Sequence, residues 1–150
     1  MKVVLQVVSS ASVEIEAKVF SKIEEGLLVL VGIEASDSTE DVEWLSGKIT
    51  NMRLFTDENG MMNESVKDVK GDVLVVSQFT LQASTKKGNR PSYMRAAKPE
   101  IAIPVYQQFV TRLALDLGKS IATGVFGADM KVALVNKGPV TIVIDSKIKD

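Results

Sequence analysis

Neither cysteine nor histidine occurs anywhere in this chain of 150 residues. Without cysteine there are no disulfides and no thiolate nucleophile; without histidine there is no Ser-His-Asp triad and no Cys-His pair. A zinc site would also lack its usual nitrogen and sulfur ligands. Catalysis, if any, falls to hydroxyls, carboxylates, lysines, backbone groups or the substrate itself, and the sequence calls for no metal and no other cofactor. Long apolar runs are missing too. No stretch reaches the roughly 18 apolar residues that a membrane span needs, so no membrane partner is expected. Polar Gln6 and Ser9-Ser10 interrupt the apolar N-terminal segment before a signal-peptide core could form, which makes the cytoplasm the expected compartment.

What remains is ordinary for a folded chain. Apolar residues make up 45% and charged residues 25%, a balance that argues against disorder and, at this length, for one domain over residues 1–150. The formal net charge of −1 conceals segregation: Lys86, Lys87, Arg90, Arg95 and Lys98 fall in a stretch between Asp72 and Glu100 that holds no acid. Such a run is either a solvated surface loop or a phosphate-contacting patch, since phosphate contacts need local rather than overall positive charge. Tyr93 inside it offers a face on which a base could stack.

The periodicities describe an α/β chain with two principal helices. Val3 to Glu16 alternates and is rich in β-branched residues, which predicts two strands joined near Ser9-Ser10-Ala11. Leu27 to Ile33 is a continuous apolar run, read as a strand covered on both faces. Ser36-Asp37-Ser38 supplies helix N-caps, with Glu40, Asp41 and Glu43 suited to the positive end of the helix dipole. Val42, Leu45, Ile49 and Met52 then mark one buried face. Asp57 to Gly60 is a turn, and Val73 to Val76 a second buried strand. Ser77 and Thr80 lie just past its end, where sites in α/β layouts often collect. A second helix is predicted from near Pro99, with Val105, Phe109, Leu113 and Leu117 as its stripe, Gly118 as its stop, and Pro104 either in its first turn or at a break. Three strand-like runs close the chain: Ile121 to Phe126, Met130 to Val135 and Val140 to Ile144. Asn136-Lys137-Gly138-Pro139 separates the last two and has the composition of a turn.

Taken alone, Ser77-Gln78-Phe79-Thr80 describes a strand end whose hydroxyls satisfy nearby backbone groups. Asn136 to Pro139 is, by itself, a turn. Asp129 and Asp145 are solvated aspartates rather than a metal pair, and the six methionines are core filler. Together, the two segments Ser77-Gln78-Phe79-Thr80-Leu81 and Asn136-Lys137-Gly138-Pro139-Val140-Thr141 carry far more. With Gly26 to Gly32, Met62 to Val66, Lys87 to Ser92 and Thr123 to Met130, they make the chain resemble the D-aminoacyl-tRNA deacylases (the D-tyrosyl-tRNA deacylase family) from end to end. Related deacylases that act on misplaced L-alanine differ at both motifs.

That resemblance implies a fold of three layers, two of sheet and one of helix. It implies hydrolysis of the ester that joins a D-amino acid to tRNA, and of glycine mischarged on tRNA(Ala), with L-aminoacyl substrates rejected as chiral proofreading. It implies an aminoacyl-tRNA partner and a homodimer with active sites at the subunit interface. Ser77, Gln78, Phe79 and Thr80 are the implied catalytic residues, and Gly138 with Pro139 the chiral selector, expected to carry a cis peptide bond. The family is thought to use the 2′-hydroxyl of the tRNA ribose to help activate water, which suits a chain without histidine. Backbone N–H groups around Phe79 and Thr80 are the expected oxyanion donors, with Thr80 positioning rather than attacking. Lys86, Lys87 and Arg90 are the expected tRNA contacts. One departure stands out: the family's usual arginine after the first-strand glutamine is replaced by Val7, and that arginine is associated with bracing the Gly-Pro turn. The competing readings are a deacylase of relaxed selectivity, a non-catalytic RNA-binding module using the basic stretch, and a metal-dependent hydrolase, the last disfavoured by the supply of ligands.

Overall fold

In a computed structural model describing residues 1–150, the two apolar runs form strands β3 (Gly26–Gly32) and β6 (Asp72–Ser77), paired in parallel. Parallel strands are normally covered on both faces, and these are. Leu27, Val29, Val31, Val73 and Val75 face one core, while Leu28, Leu74 and Val76 face another. Helices α1 (Thr39–Asn51) and α2 (Pro99–Leu117) cover the first face through Val42, Leu45, Ile49, Phe109 and Leu113. The second face is covered by more sheet, so the layers run helix, sheet, sheet, as the resemblance implied.

That second sheet layer exists because β1 is longer than its sequence suggested. A break was expected near Ser9-Ser10, yet β1 runs unbroken from Lys2 to Ile15. Its first half pairs with β3 and its second with β2 (Lys18–Ile23). The register slips around Ser9, and the buried series passes from Val3, Leu5 and Val7 in the first core to Val8, Ala11 and Val13 in the second. Bulges bend a strand without ending it, so a break in alternation looks the same in sequence as a turn. A short antiparallel pair, β4 (Phe55–Thr56) and β5 (Met62–Glu64), brackets the predicted turn, and β7 (Ala122–Thr123) extends β6 at the sheet edge.

The same correction applies at the C-terminal end. The runs Met130 to Val135 and Val140 to Ile144 belong to one strand, β8 (Lys131–Asp145), paired along β1. Asn136 lies opposite Val8 and Thr141 opposite Gln6, so Lys137 to Val140 all stand against Val7 and bulge outward. The expected turn is therefore an excursion within a strand. The helices fall where periodicity put them. Gly118 ends α2 in the left-handed conformation at φ 80, its N–H bonded to Ala114, and the helix passes through Pro104 rather than breaking there. No helix is long and apolar enough to cross a membrane.

A buried polar cluster ties the ends of these elements together. The Asp41 carboxylate takes hydrogen bonds from Ser146 Oγ at 2.6 Å, Lys147 Nζ at 2.7 Å and the Ser38 N–H at 2.9 Å. The Met1 ammonium reaches Asp37 at 2.5 Å and Ser146 Oγ at 2.9 Å. Burial alone would raise the Asp41 pKa, but the bonds from Lys147, Ser146 and Ser38 outweigh it and hold the carboxyl far below the usual range. A depressed folded pKa gives stability that is present above the unfolded value and is lost as pH falls through the folded one. Asp41→Asn should therefore lower unfolding free energy by about 1–3 kcal/mol at pH 7. In denaturant titrations at several pH values, the gap to wild type should shrink progressively below about pH 4. A gap that stays constant down to pH 2 would show that the charge is not what stabilises the cluster.

Candidate active site

The carboxyl ends of β3 and β6 come out side by side, and the chain turns there. Val31 pairs with Ser77, and the Gln78 N–H donates to the Val31 carbonyl at 2.7 Å. Phe79 to Gln82 then form a single 3-10 turn. It lies hard against Gly32, where a Cβ would stand 2.9 Å from the Gln78 carbonyl oxygen and 2.8 Å from Leu81 Cβ. The first amides of a helical turn have no partner within it, and neither the Phe79 nor the Thr80 N–H is spent on a turn or loop hydrogen bond. These are the two donors anticipated for an oxyanion. The Gln78 side-chain amide donates to Thr80 Oγ1 at 2.5 Å. Thr80 is thus held as an acceptor from Gln78, with its own proton free to donate outward and no base to remove it.

Ser77, Gln78 and Phe79 form one wall of a cleft of about 300 Å³, and Phe126, Gly127 and Asp129 contribute to the other. The sequence marked Thr123 to Met130 only as a stretch supporting the resemblance and assigned it no role. Phe126 anchors that wall to the core by packing edge-on against Tyr106, 5.7 Å between ring centres. Tyr106 is buried and gives its hydroxyl to the Val75 carbonyl, and burial pushes its pKa up to about 12. Phe79 is more than half exposed and meets Tyr93 edge-on at 5.2 Å. Tyr93, read as a free stacking face, is thus partly engaged. It ties the basic segment to the turn.

Lys86, Lys87, Arg90, Arg95 and Lys98 are all exposed. None forms an ion pair, although ten ion pairs occur elsewhere. Lys86, Lys87 and Arg90 sit on a loop pinched between Ser84 and Ser92, which bond each other's backbone in both directions. Their charge is available to a ligand.

Gly138 and Pro139 are exposed and joined by a cis peptide bond. They roof a separate cleft of about 520 Å³ with Val7, Glu25, Phe55 and Met62, and no residue lines both clefts. Within one chain the two motifs do not meet. With Val7 in place of an arginine, the excursion is held by other groups. Asn136 accepts from the Val140 N–H at 3.3 Å and donates to Thr141 Oγ1 at 3.1 Å, Gln6 donates to the same hydroxyl at 3.3 Å, and Lys137 pairs with Glu25 at 3.0 Å.

The fold and this strand end define a class of α/β protein with a cleft beside a turn whose first two backbone amides are unspent. Comparison with known proteins makes the class specific. Residues 4–145 match the family model described as D-Tyr-tRNA(Tyr) deacylase. D-aminoacyl-tRNA deacylases of Flavobacterium psychrophilum and Parabacteroides distasonis are 65% and 61% identical over 150 residues, covering 100% of each chain. A solved structure described as c-Myc DNA Unwinding Element Binding Protein superposes with TM-score 0.90 at 40% identity, covering 97% of this chain and 98% of that one. One described as a probable eukaryotic D-amino acid tRNA deacylase shares the fold, with TM-score 0.82 at 17% identity over 95% and 97% of the two chains. The chain belongs to the D-Tyr-tRNA(Tyr) deacylase family. Membership of this family makes it a deacylase, a hydrolase that acts on aminoacyl-tRNA.

Gly138 has φ 120, and an added Cβ would lie 2.9 Å from Val140 Cγ2 and 3.1 Å from the Val140 nitrogen. Gly138→Ala should therefore cost about 1–2 kcal/mol in stability and lower deacylation of every accepted substrate together. Urea midpoints and initial rates on two different aminoacyl-tRNAs check this. Loss confined to one substrate would contradict it.

Proposed function

We propose that the chain hydrolyses the ester between a D-amino acid, or glycine mischarged on tRNA(Ala), and the 3′-terminal ribose of tRNA. The products are free amino acid and tRNA, and L-aminoacyl esters are refused. The observation that carries this reading is the pair of unspent amides at Phe79 and Thr80, the first residue lining the cleft and the second bearing a hydroxyl with no histidine to deprotonate it. An ester needs activated water and donors for the oxyanion. Losing one good oxyanion donor typically costs about 10²–10³ in rate, so two backbone amides suffice for substantial catalysis without histidine. Thr80 orients the substrate or the water through its outward proton. Water activation falls to a group the tRNA itself brings, the neighbouring 2′-hydroxyl.

Selection is assigned to Gly138 and Pro139. Their carbonyl oxygens accept hydrogen bonds from the substrate's α-ammonium while the ester is held at the amides. With those substituents fixed, a D side chain points to open space and an L side chain runs into the turn. Glycine has nothing to collide, so it passes. Rejection of this kind is steric and indifferent to the identity of the D side chain. Because the turn and the amides lie in different clefts of one chain, the reading requires a homodimer in which each subunit's turn completes its partner's site. Exposed Val135 and Val143 on β8, at 57% and 71% exposure, and exposed Phe79 supply apolar surface for it. The cytoplasm, where charged tRNA is used, is the compartment this activity needs.

Purified protein should release tyrosine from D-tyrosyl-tRNA, with EDTA present, at a rate at least 100-fold above that for L-tyrosyl-tRNA, and should scatter light as a dimer. Equal rates on both would sink the selector, and an active monomer would sink the shared site. On the RNA side, reversing Lys86 and Lys87 to Glu should weaken tRNA binding. The slope of log affinity against log salt should flatten by about two, roughly one per lysine. An unchanged slope would make the basic loop a solvated surface only.

A further inference from the structure

Gln82, the last residue of the 3-10 turn, is only 1% exposed and ranks among the largest fully buried side chains. Its Nε2 donates to the Gly32 carbonyl at 2.9 Å. Its Oε1 is the one buried side-chain polar atom in the protein to which nothing donates. Rotating the amide would set two oxygens against each other at Gly32, so the orientation is forced and the unpartnered oxygen is its consequence. A methionine or leucine would fill the same space with no such cost. The bond to Gly32 and the unpartnered oxygen roughly offset each other, so stability gives no net preference for a glutamine here.

What the amide does is geometric. The turn touches the end of β3 at three points: the Gln78 N–H on the Val31 carbonyl, the close approach of Gln78 and Leu81 to Gly32, and the Gln82 amide on the Gly32 carbonyl. The first two hold the beginning and middle of the turn. The third ties down its end through a side chain, beside the Ala83 N–H on the Thr80 carbonyl, and so braces the turn that carries the Phe79 and Thr80 amides. We propose that Gln82 is a positioning residue for deacylation, pinning the donor-bearing turn to Gly32 without touching substrate. The proposal rests on the reading of those two amides as oxyanion donors.

Gln82→Met, with Gln82→Leu as a second variant, tests it. Either change removes the unpartnered oxygen and also the bond to Gly32, two opposing effects of similar size, so the melting temperature should stay within roughly 5 °C of wild type. Single-turnover deacylation of D-tyrosyl-tRNA at saturating enzyme should fall roughly 10- to 100-fold, as expected for a small misalignment of catalytic groups. Affinity for the tRNA should be unchanged. The amide resonances of Phe79 and Thr80 should shift or broaden in NMR spectra of the same variants. Unmoved resonances would overturn the role of Gln82 whatever the rate does. Resonances that move while the rate holds would overturn it as well, and would remove the two amides from the catalytic reading. A wild-type protein inactive on D-tyrosyl-tRNA would defeat the proposed function first.

Discussion

The parallel pairing of β3 with β6 governs the rest of the structure. Two adjacent strands made of unbroken apolar sequence bury side chains alternately on opposite faces, and each face must be covered or the pair would expose a large apolar area to water. The helices cover one face. The other obliges β1 to run past the end of β3, bend at its bulge and return with β2 and β8 as a second layer. Parallel alignment also makes both strands finish at the same edge. There Gly32 gives the following turn room to pack against backbone, and the free amides of the turn come out beside the cleft. The site is thus a consequence of where two core strands stop.

A chain without histidine or cysteine has no side chain whose ordinary pKa lies between 5 and 8. Fixed backbone dipoles are among the means left for stabilising negative charge as it develops. Their effect depends on orientation, since an amide turned away from the oxyanion contributes little. The proposed reading accounts for how firmly this short turn is held, with Gln78 bonded at both its backbone and its side chain and Phe126 carried on a ring buried in the core. It also accounts for Thr80. A hydroxyl that accepts from Gln78 and has no histidine to deprotonate it is a weak nucleophile, which suits the positioning role proposed for it.

Much of this was legible in the sequence because it depends on local pattern. The buried strands show as continuous apolar runs, α1 and α2 as three- and four-residue spacings with acids and a glycine at the proper ends, and Ser77 to Thr80 as a strand end that only the family resemblance singled out as a candidate site. Two features were not legible for one shared reason. Ser9-Ser10 and Lys137 to Val140 both interrupt alternation, and interruption reads as a turn unless the partner strand is known; register is a property of the pair. The far wall of the cleft at Phe126 to Asp129 was hidden because its contacts with the turn are distant in sequence. Gln82 was hidden because a glutamine carries no expectation of burial.

The excursion at Lys137 to Val140 shows how a strand can present a rigid turn without ending. A free loop of this composition would sample many conformations, and ordering it on substrate would cost binding energy. Here Val8 and Gln6 hold Asn136 and Thr141 in register on either side, so the intervening residues are confined at both ends by sheet. Asn136 and Gln6 converge on Thr141, and Lys137 is tied to Glu25 at the start of β3. The last of these is an exposed pair of modest worth and is screened by salt. The hydrogen bonds and the flanking register brace the excursion without an arginine at position 7. Under the proposed function a turn that selects by collision would need this confinement, because yielding by an ångström would admit the side chain it is meant to exclude.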